Sequence, residues 1–124
     1  MLDVNLRQIV NTTSNQFKPY DRYGDPIAGM SWIPLSGELL NGVFECFLLR
    51  MEAGAQSNPH EHTGHEEFLV LDGELIDYDG QRFNSGDYVH FQPGSKHSSH
   101  TPDGCILLVI LRGNNRPLRA DELD

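Results

Sequence analysis

The sequence predicts an all-β fold, a small sandwich or barrel, on three observations. Glycines punctuate the chain at Gly42, Gly54, Gly64, Gly73, Gly80, Gly86, Gly94, Gly104 and Gly113. Between them lie short segments rich in apolar and aromatic residues, the pattern of short strands joined by turns. No stretch of ten or more residues carries a clean apolar stripe of period 3.6. The glycine spacing is not accompanied by repeated sequence, so it marks turns and not an internal repeat. At 124 residues the chain fits one domain with a single core.

Taken in order, residues 1–28 are broken by Lys18-Pro19, Tyr23-Gly24-Asp25-Pro26 and Ala28-Gly29, and are expected to form an irregular N-terminal arm with room for a short strand over Arg7 to Val10. Met30 to Leu35 is expected as a short edge strand, because Pro34 cannot donate to a ladder. A turn is expected at Ser36-Gly37. Further strands are expected over Val43 to Glu52, Glu66 to Leu71, Glu74 to Tyr78, Asp87 to Phe91 and Cys105 to Arg112. The run Cys105 to Leu111 is apolar on both faces, which predicts cover on both sides, from barrel packing or from a subunit interface. The polar tail, residues 114–124, is expected to be loosely held or to lie on a partner subunit.

Nine Lys and Arg against 18 Asp and Glu leave a net charge of -9, which repels phosphate backbones and anionic lipid. Nucleic acid and membrane surfaces are therefore set aside as partners. The N-terminus lacks a basic region followed by an apolar run, and the longest apolar run is far short of a membrane span, so a soluble cytoplasmic protein is expected. Cys46 and Cys105 are expected as reduced thiols in or near apolar strands. The sequon Asn11-Thr12-Thr13 is uninformative without a secretion signal.

The chemistry concentrates between Gly54 and Gly73. In a strand, His60 and His62 face the same side and can share a metal. A straight strand would carry Glu66 roughly 13 Å past His62, so the chain must turn at Thr63-Gly64-His65 for the carboxylate to join them. A second block, Gly86 to His97, ends with a Gln-Pro-Gly-Ser turn after which His97 can approach the same cluster. A His-x-His pair alone is more often a polar surface accident than a ligand pair. The added carboxylate, framing glycines and His97 turn that balance toward a metal site. By parity His100 and Glu67 point away from the site, while His65 is solvated near the turn and His90 faces either solvent or lumen. Phe68, Val70 and Thr101 share parity with Glu66 or His97 and are candidates for lining the pocket.

These blocks resemble the two cupin motifs. Gly54, His60, His62, Glu66 and Gly73 fit the first without a gap. Gly86, Gly94 and His97 fit the second, with Gln92 at the usual proline and Thr101 at the usual asparagine. Together with Trp32-Ile-Pro-Leu, Pro93-Gly94-Ser95 and Gly104-Cys105, the pattern is similar to the ChrR-like cupin branch, whose relatives resemble acetylacetone and dihydroxyacetophenone dioxygenases. The resemblance covers about residues 29 to 112. It implies a double-stranded β-helix, a jelly-roll-like small barrel, with the chain divided into an arm (1–28), a cupin barrel (29–113) and a tail (114–124).

The resemblance also implies that His60, His62, Glu66 and His97 hold one divalent metal ion per chain, Fe(II) or Zn foremost, with Mn, Ni or Cu as further candidates. Imidazole and carboxylate ligands without thiolate agree with that set. The leading expectation is a non-haem iron(II)-dependent dioxygenase acting on a small β-diketone or hydroxyketone. The alternative is a non-catalytic zinc-binding cupin that senses or binds a small molecule. Glu66 departs from the three-histidine iron site of acetylacetone dioxygenase, and no separate catalytic residue is assigned. The ChrR-type N-terminal zinc helical domain has no counterpart here, so sigma-factor sequestration is not implied. A homodimer is expected.

Overall fold

The computed structural model describes residues 3–14, 16–36 and 44–123. Gly37, Gly42 and Val43, to which the sequence assigned a turn, a strand-bounding glycine and a strand start, lie outside them. The described chain is all-β, with only single-turn 3-10 helices at Val4–Leu6 and Ala120–Glu122. Its strands are β1 (Lys18–Pro19), β2 (Met30–Ser36), β3 (Phe44–Met51), β4 (His60–His62), β5 (Glu66–Asp77), β6 (Arg82–Asn84), β7 (Tyr88–Phe91), β8 (Lys96–His97), β9 (Ser99–His100), β10 (Cys105–Arg112) and β11 (Asn115–Pro117). The larger sheet runs β1-β2-β3-β10-β5-β6, with β7 and β9 also paired to β5, and the smaller runs β11-β4-β8.

The centre of the large sheet is β10, antiparallel to β3 from Cys105↔Met51 to Arg112↔Phe44 and to β5 on its other edge. Period-two alternation buries Cys105, Leu107, Val109 and Leu111 on one face, and the first three meet Phe47, Met51, Phe68 and Val70 in one core. The opposite face of β10 is less enclosed within the chain. Ile106, Leu108 and Ile110 are only half-buried within the chain, so its cover on that side is partial.

Glycine 73 was expected to separate two strands, but β5 runs through it. Leu107 pairs with Val70 and Ile106 with Asp72, which leaves Leu71 as a bulge, 45% exposed. Gly73 follows at φ +81. The bulge and the left-handed residue add local twist, so the first half of β5 pairs with β10 and β7, and the second with β6 and β9. One strand thereby spans both ends of the curled sheet.

Other expectations shift similarly. Arg7 to Val10 forms no strand; it follows the 3-10 turn at Val4–Leu6, whose cap is Asp3. The arm is irregular apart from β1, where Lys18-Pro19, read as a break in the sequence, pairs with β2; Tyr20, next in the chain, is 6% exposed and packs edge-on against Trp32. The polar tail places Asn115–Pro117 against β4 and buries Leu118 to 9% exposure.

Gly73 answers two constraints, its φ and the carbonyl of Gly104, which would lie 2.1 Å from an added Cβ. Gly80 has φ +91 and open space around it. Alanine at Gly80 should therefore cost only the left-handed backbone, roughly 1–2 kcal/mol. Gly73→Ala, which also forces the backbone apart, should cost distinctly more in urea unfolding; equal losses would contradict the close approach.

Candidate metal centre

The site forms where the small sheet meets the inner face of β5. His60 and His62 alternate with Glu61 on β4 and share one face. His97 on β8 lies directly opposite His60 in register. The chain bends at Thr63 and Gly64 and enters β5 at Glu66, whose side chain points inward with Phe68 and Val70. Gly64 is needed here for space and not for its φ, since an added Cβ would stand 1.9 Å from the Arg112 carbonyl oxygen. The backbones of Gly64 and Gly113 pass in contact, and this fixes the corner between the two sheets.

As a result, one ligand atom from each of His60, His62, Glu66 and His97 lies within 4.8 Å of every other. The three imidazole centroids are 4.4 to 4.9 Å apart. His62 is fully buried, and His97 and Glu66 are 4% and 9% exposed. Phe91, an aromatic the motifs do not include, stacks on His97 at 4.3 Å and on His62 at 5.5 Å, and so restricts both rings.

The set fits a metal ion by the state of its nitrogens. The Nδ1 of His60 donates to the Asn58 carbonyl at 2.8 Å, and the Nδ1 of His62 donates to Asn115 Oδ1 at 2.9 Å. His97 Nδ1 lies 3.3 Å from the buried carboxylate of Asp77 but makes no hydrogen bond. All three Nε2 atoms are buried without a hydrogen-bond partner. Fixing Nδ1 while leaving Nε2 free is how proteins present neutral imidazoles to a metal. Asn58 and Asn115, which hold Nδ1 of two rings, and Asp77 beside the third are neighbours of the cluster that sequence reasoning missed; they lie outside the motif positions, and only the fold brings them to the site.

Burial, reinforced by the charge of His97, depresses His60 to a pKa of about 4 and His62 to about 3. Both rings therefore stay neutral at physiological pH. Burial pushes the Glu66 carboxyl the other way, up to about 7, against the opposing pull of His97, Arg22 and Asn115.

A cavity of about 130 Å³ opens beside the cluster. His60, Glu66, His97 and Asn115 form its polar end, and Phe47, Phe68, Leu107 and Val109 are among its apolar walls. Tyr20, Tyr23 and Ile27 of the N-terminal segment complete it. That segment is clamped to the sheet by Arg22, whose guanidinium donates to both Glu45 oxygens at 2.6 and 3.0 Å. Of the other candidates for the pocket wall, Val70 lies in the core cluster. Thr101, 0% exposed, donates its hydroxyl to the Glu74 carbonyl and accepts from Gly104 N. His65 and His90 pair on the surface at 2.8 Å, Glu67 faces Arg112 at 3.7 Å, and His100 is exposed.

The sequence profile of the ChrR cupin-like domain matches residues 7–114. No match was found among curated proteins. Among solved structures, a cupin-fold protein from Ralstonia eutropha JMP134 superposes with a TM-score of 0.79 at 24% identity, over 91% of this chain and 71% of that one. Acetylacetone dioxygenase from Acinetobacter johnsonii gives 0.79 at 16% identity, over 93% and 80%. The anti-sigma ChrR of Rhodobacter sphaeroides, solved in complex with SigE, gives 0.63 at 23% identity, over 82% of this chain and 50% of that one.

The proton bound to Glu66 sets the expected pH dependence of metal binding. Below pH 7 the metal must displace that proton, so apparent affinity should fall about tenfold per pH unit below 7 and level off above it. His60 and His62 compete only near pH 4 and below. Competition titration against a chelator checks this, and Glu66→Gln should remove the slope. A slope that continues above pH 8, or one unchanged in Glu66→Gln, would contradict the assignment.

Proposed function

Because the chain belongs to the ChrR cupin-like domain family, we propose that it is a metal-dependent dioxygenase acting on a small β-diketone or hydroxyketone, with His60, His62, Glu66 and His97 as the ligands of one iron(II). The observation that carries this reading is the junction of the four-ligand cluster with a partly open, mainly apolar cavity. Its volume of about 130 Å³ is near the roughly 150 Å³ of an apolar cavity that takes up benzene. That size suits a compact molecule with two neighbouring oxygens and a short hydrocarbon body. When bound, the metal supplies Lewis-acid polarisation of substrate oxygens and redox chemistry toward dioxygen.

The protein's own groups bind and shield. Phe47, Phe68, Leu107 and Val109 receive the hydrocarbon part and keep water away from the reacting carbon atoms. Burial raises the phenols of Tyr20 and Tyr23 above their ordinary range, so both hydroxyls keep their protons. From the cavity wall they are placed to donate to a substrate oxygen that gains negative charge.

A second reading is favoured by the family match itself: a zinc-holding module that binds a small molecule without converting it. Iron and zinc both accept this donor set, and one experiment separates the two. The protein is purified without oxygen, its metal measured, iron(II) added, and oxygen consumption followed with a panel of diketones and hydroxyketones. The dioxygenase reading expects uptake with at least one of them and loss of uptake in Phe68→Trp, which fills the cavity. Stoichiometric tight zinc without uptake would sink it in favour of the second reading.

We also propose a homodimer. Its support is the half-buried outer row of Ile106, Leu108 and Ile110 and the N-terminal Val4, Leu6 and Ile9, exposed by 69%, 84% and 78%. Light scattering after size-exclusion chromatography should give twice the chain mass, and a monomer mass at micromolar concentration would refute it.

A further inference from the structure

We propose that Asn115 is a positioning residue that fixes the tautomer of His62, and through it the availability of His62 Nε2 as a ligand. The inference rests on the metal reading given above, but its geometry stands independently. Asn115 sits on β11 directly opposite His62 in register. Its side-chain nitrogen donates to the Tyr23 hydroxyl at 2.8 Å.

A primary amide has two N–H donors and one carbonyl acceptor. The amide nitrogen faces the Tyr23 hydroxyl. What remains for His62 is the carbonyl oxygen, found 2.9 Å from His62 Nδ1. A neutral imidazole carries one N–H, and an acceptor at Nδ1 holds that hydrogen there, leaving the Nε2 lone pair free. A rotated amide would present N–H groups to Nδ1 and move the imidazole hydrogen to Nε2, which could then bind no metal. Glu66 Oε2 also approaches Nδ1, at 3.2 Å, but Glu66 belongs to the ligand cluster itself, so Asn115 is the acceptor left to His62 once the carboxylate turns to an ion.

The strand that delivers Asn115 is pinned in register. Thr63 N donates to the Asn114 carbonyl at 3.0 Å, and the Thr63 hydroxyl donates to that same carbonyl while accepting from Asn114 N. On the other side of Asn115, Arg116 forks onto Glu61 at 2.6 and 3.0 Å. The amide is therefore set against His62 by backbone pairing and held in orientation by Tyr23 from the N-terminal segment. A ligand inside the first cupin motif thus depends on one residue upstream and one downstream of both motifs.

The test is a long-range proton–nitrogen NMR spectrum of the histidine rings in the metal-free protein, joined to a competition titration with zinc. Wild-type His62 should carry its hydrogen on Nδ1. Asn115→Leu, similar in size but without an acceptor, should populate the Nε2–H form and weaken zinc about 10–100-fold. Asn115→Asp, which restores an oxygen toward Nδ1, should return the tautomer, and Tyr23→Phe should shift it in part. An Nε2–H form in the wild type, or a purely Nδ1–H form with zinc affinity within about twofold in Asn115→Leu, would overturn the proposal. Should the wild type bind no zinc or iron, the metal reading fails, while the tautomer spectrum still decides the role of Asn115.

Discussion

Three imidazole Nε2 atoms face one small volume, each buried and each without a hydrogen-bond partner. An unsatisfied buried polar atom costs about 1–3 kcal/mol, and here three such atoms point at a common centre beside a buried carboxylate. A divalent cation resolves that conflict at one stroke, since it turns three orphaned lone pairs and one carboxylate into ligands. The depressed basicity of His60 and His62 and the raised pKa of Glu66 are two faces of the same burial. Without an ion His60, His62 and Glu66 prefer their uncharged forms.

Holding those atoms together is the work of backbone at two close approaches. At Gly64 and Gly113 the corner between the sheets is so tight that no Cβ fits beside the Arg112 carbonyl. At Gly73 and Gly104 the long strand β5 passes over the start of β10 with similarly little room. The first corner sets the reach from His62 to Glu66, and the second lets β5 serve β10 and β7 at one end and β6 and β9 at the other. Around this frame, Asn58, Asp77 and Asn115 face the Nδ1 atoms, so that ring orientation is governed from three separate elements.

Much of this was legible in the residues. The all-β class followed from glycine punctuation between short apolar runs, and His60, His62, Glu66 and His97 were linked by period-two alternation, the need for a turn at Gly64, and the cupin resemblance. Less legible were features that exist only after pairing. The two- and three-residue strands β6, β8, β9 and β11 are too short to show alternation. The bulge at Leu71 is a register event, so Gly73 looked like a strand end when it is a twist within one strand. The polar composition of residues 114–124 suggested a loose tail, because nothing in their sequence shows that Asn115 will stand opposite His62. The N-terminal arm was similarly opaque: its glycines and prolines predicted irregular backbone, which conceals both the short strand β1 and the fact that Tyr20 and Tyr23 complete the cavity.

The central claim is that one metal ion is held by three imidazoles and one carboxylate of this chain. X-ray absorption at the edge of the bound metal measures that shell directly. The account predicts only nitrogen and oxygen neighbours at about 2.0–2.2 Å, with the outer-shell scattering of three imidazole rings. A sulfur neighbour at about 2.3 Å, which would bring in Cys46 or Cys105, or fewer than three imidazoles, would contradict it.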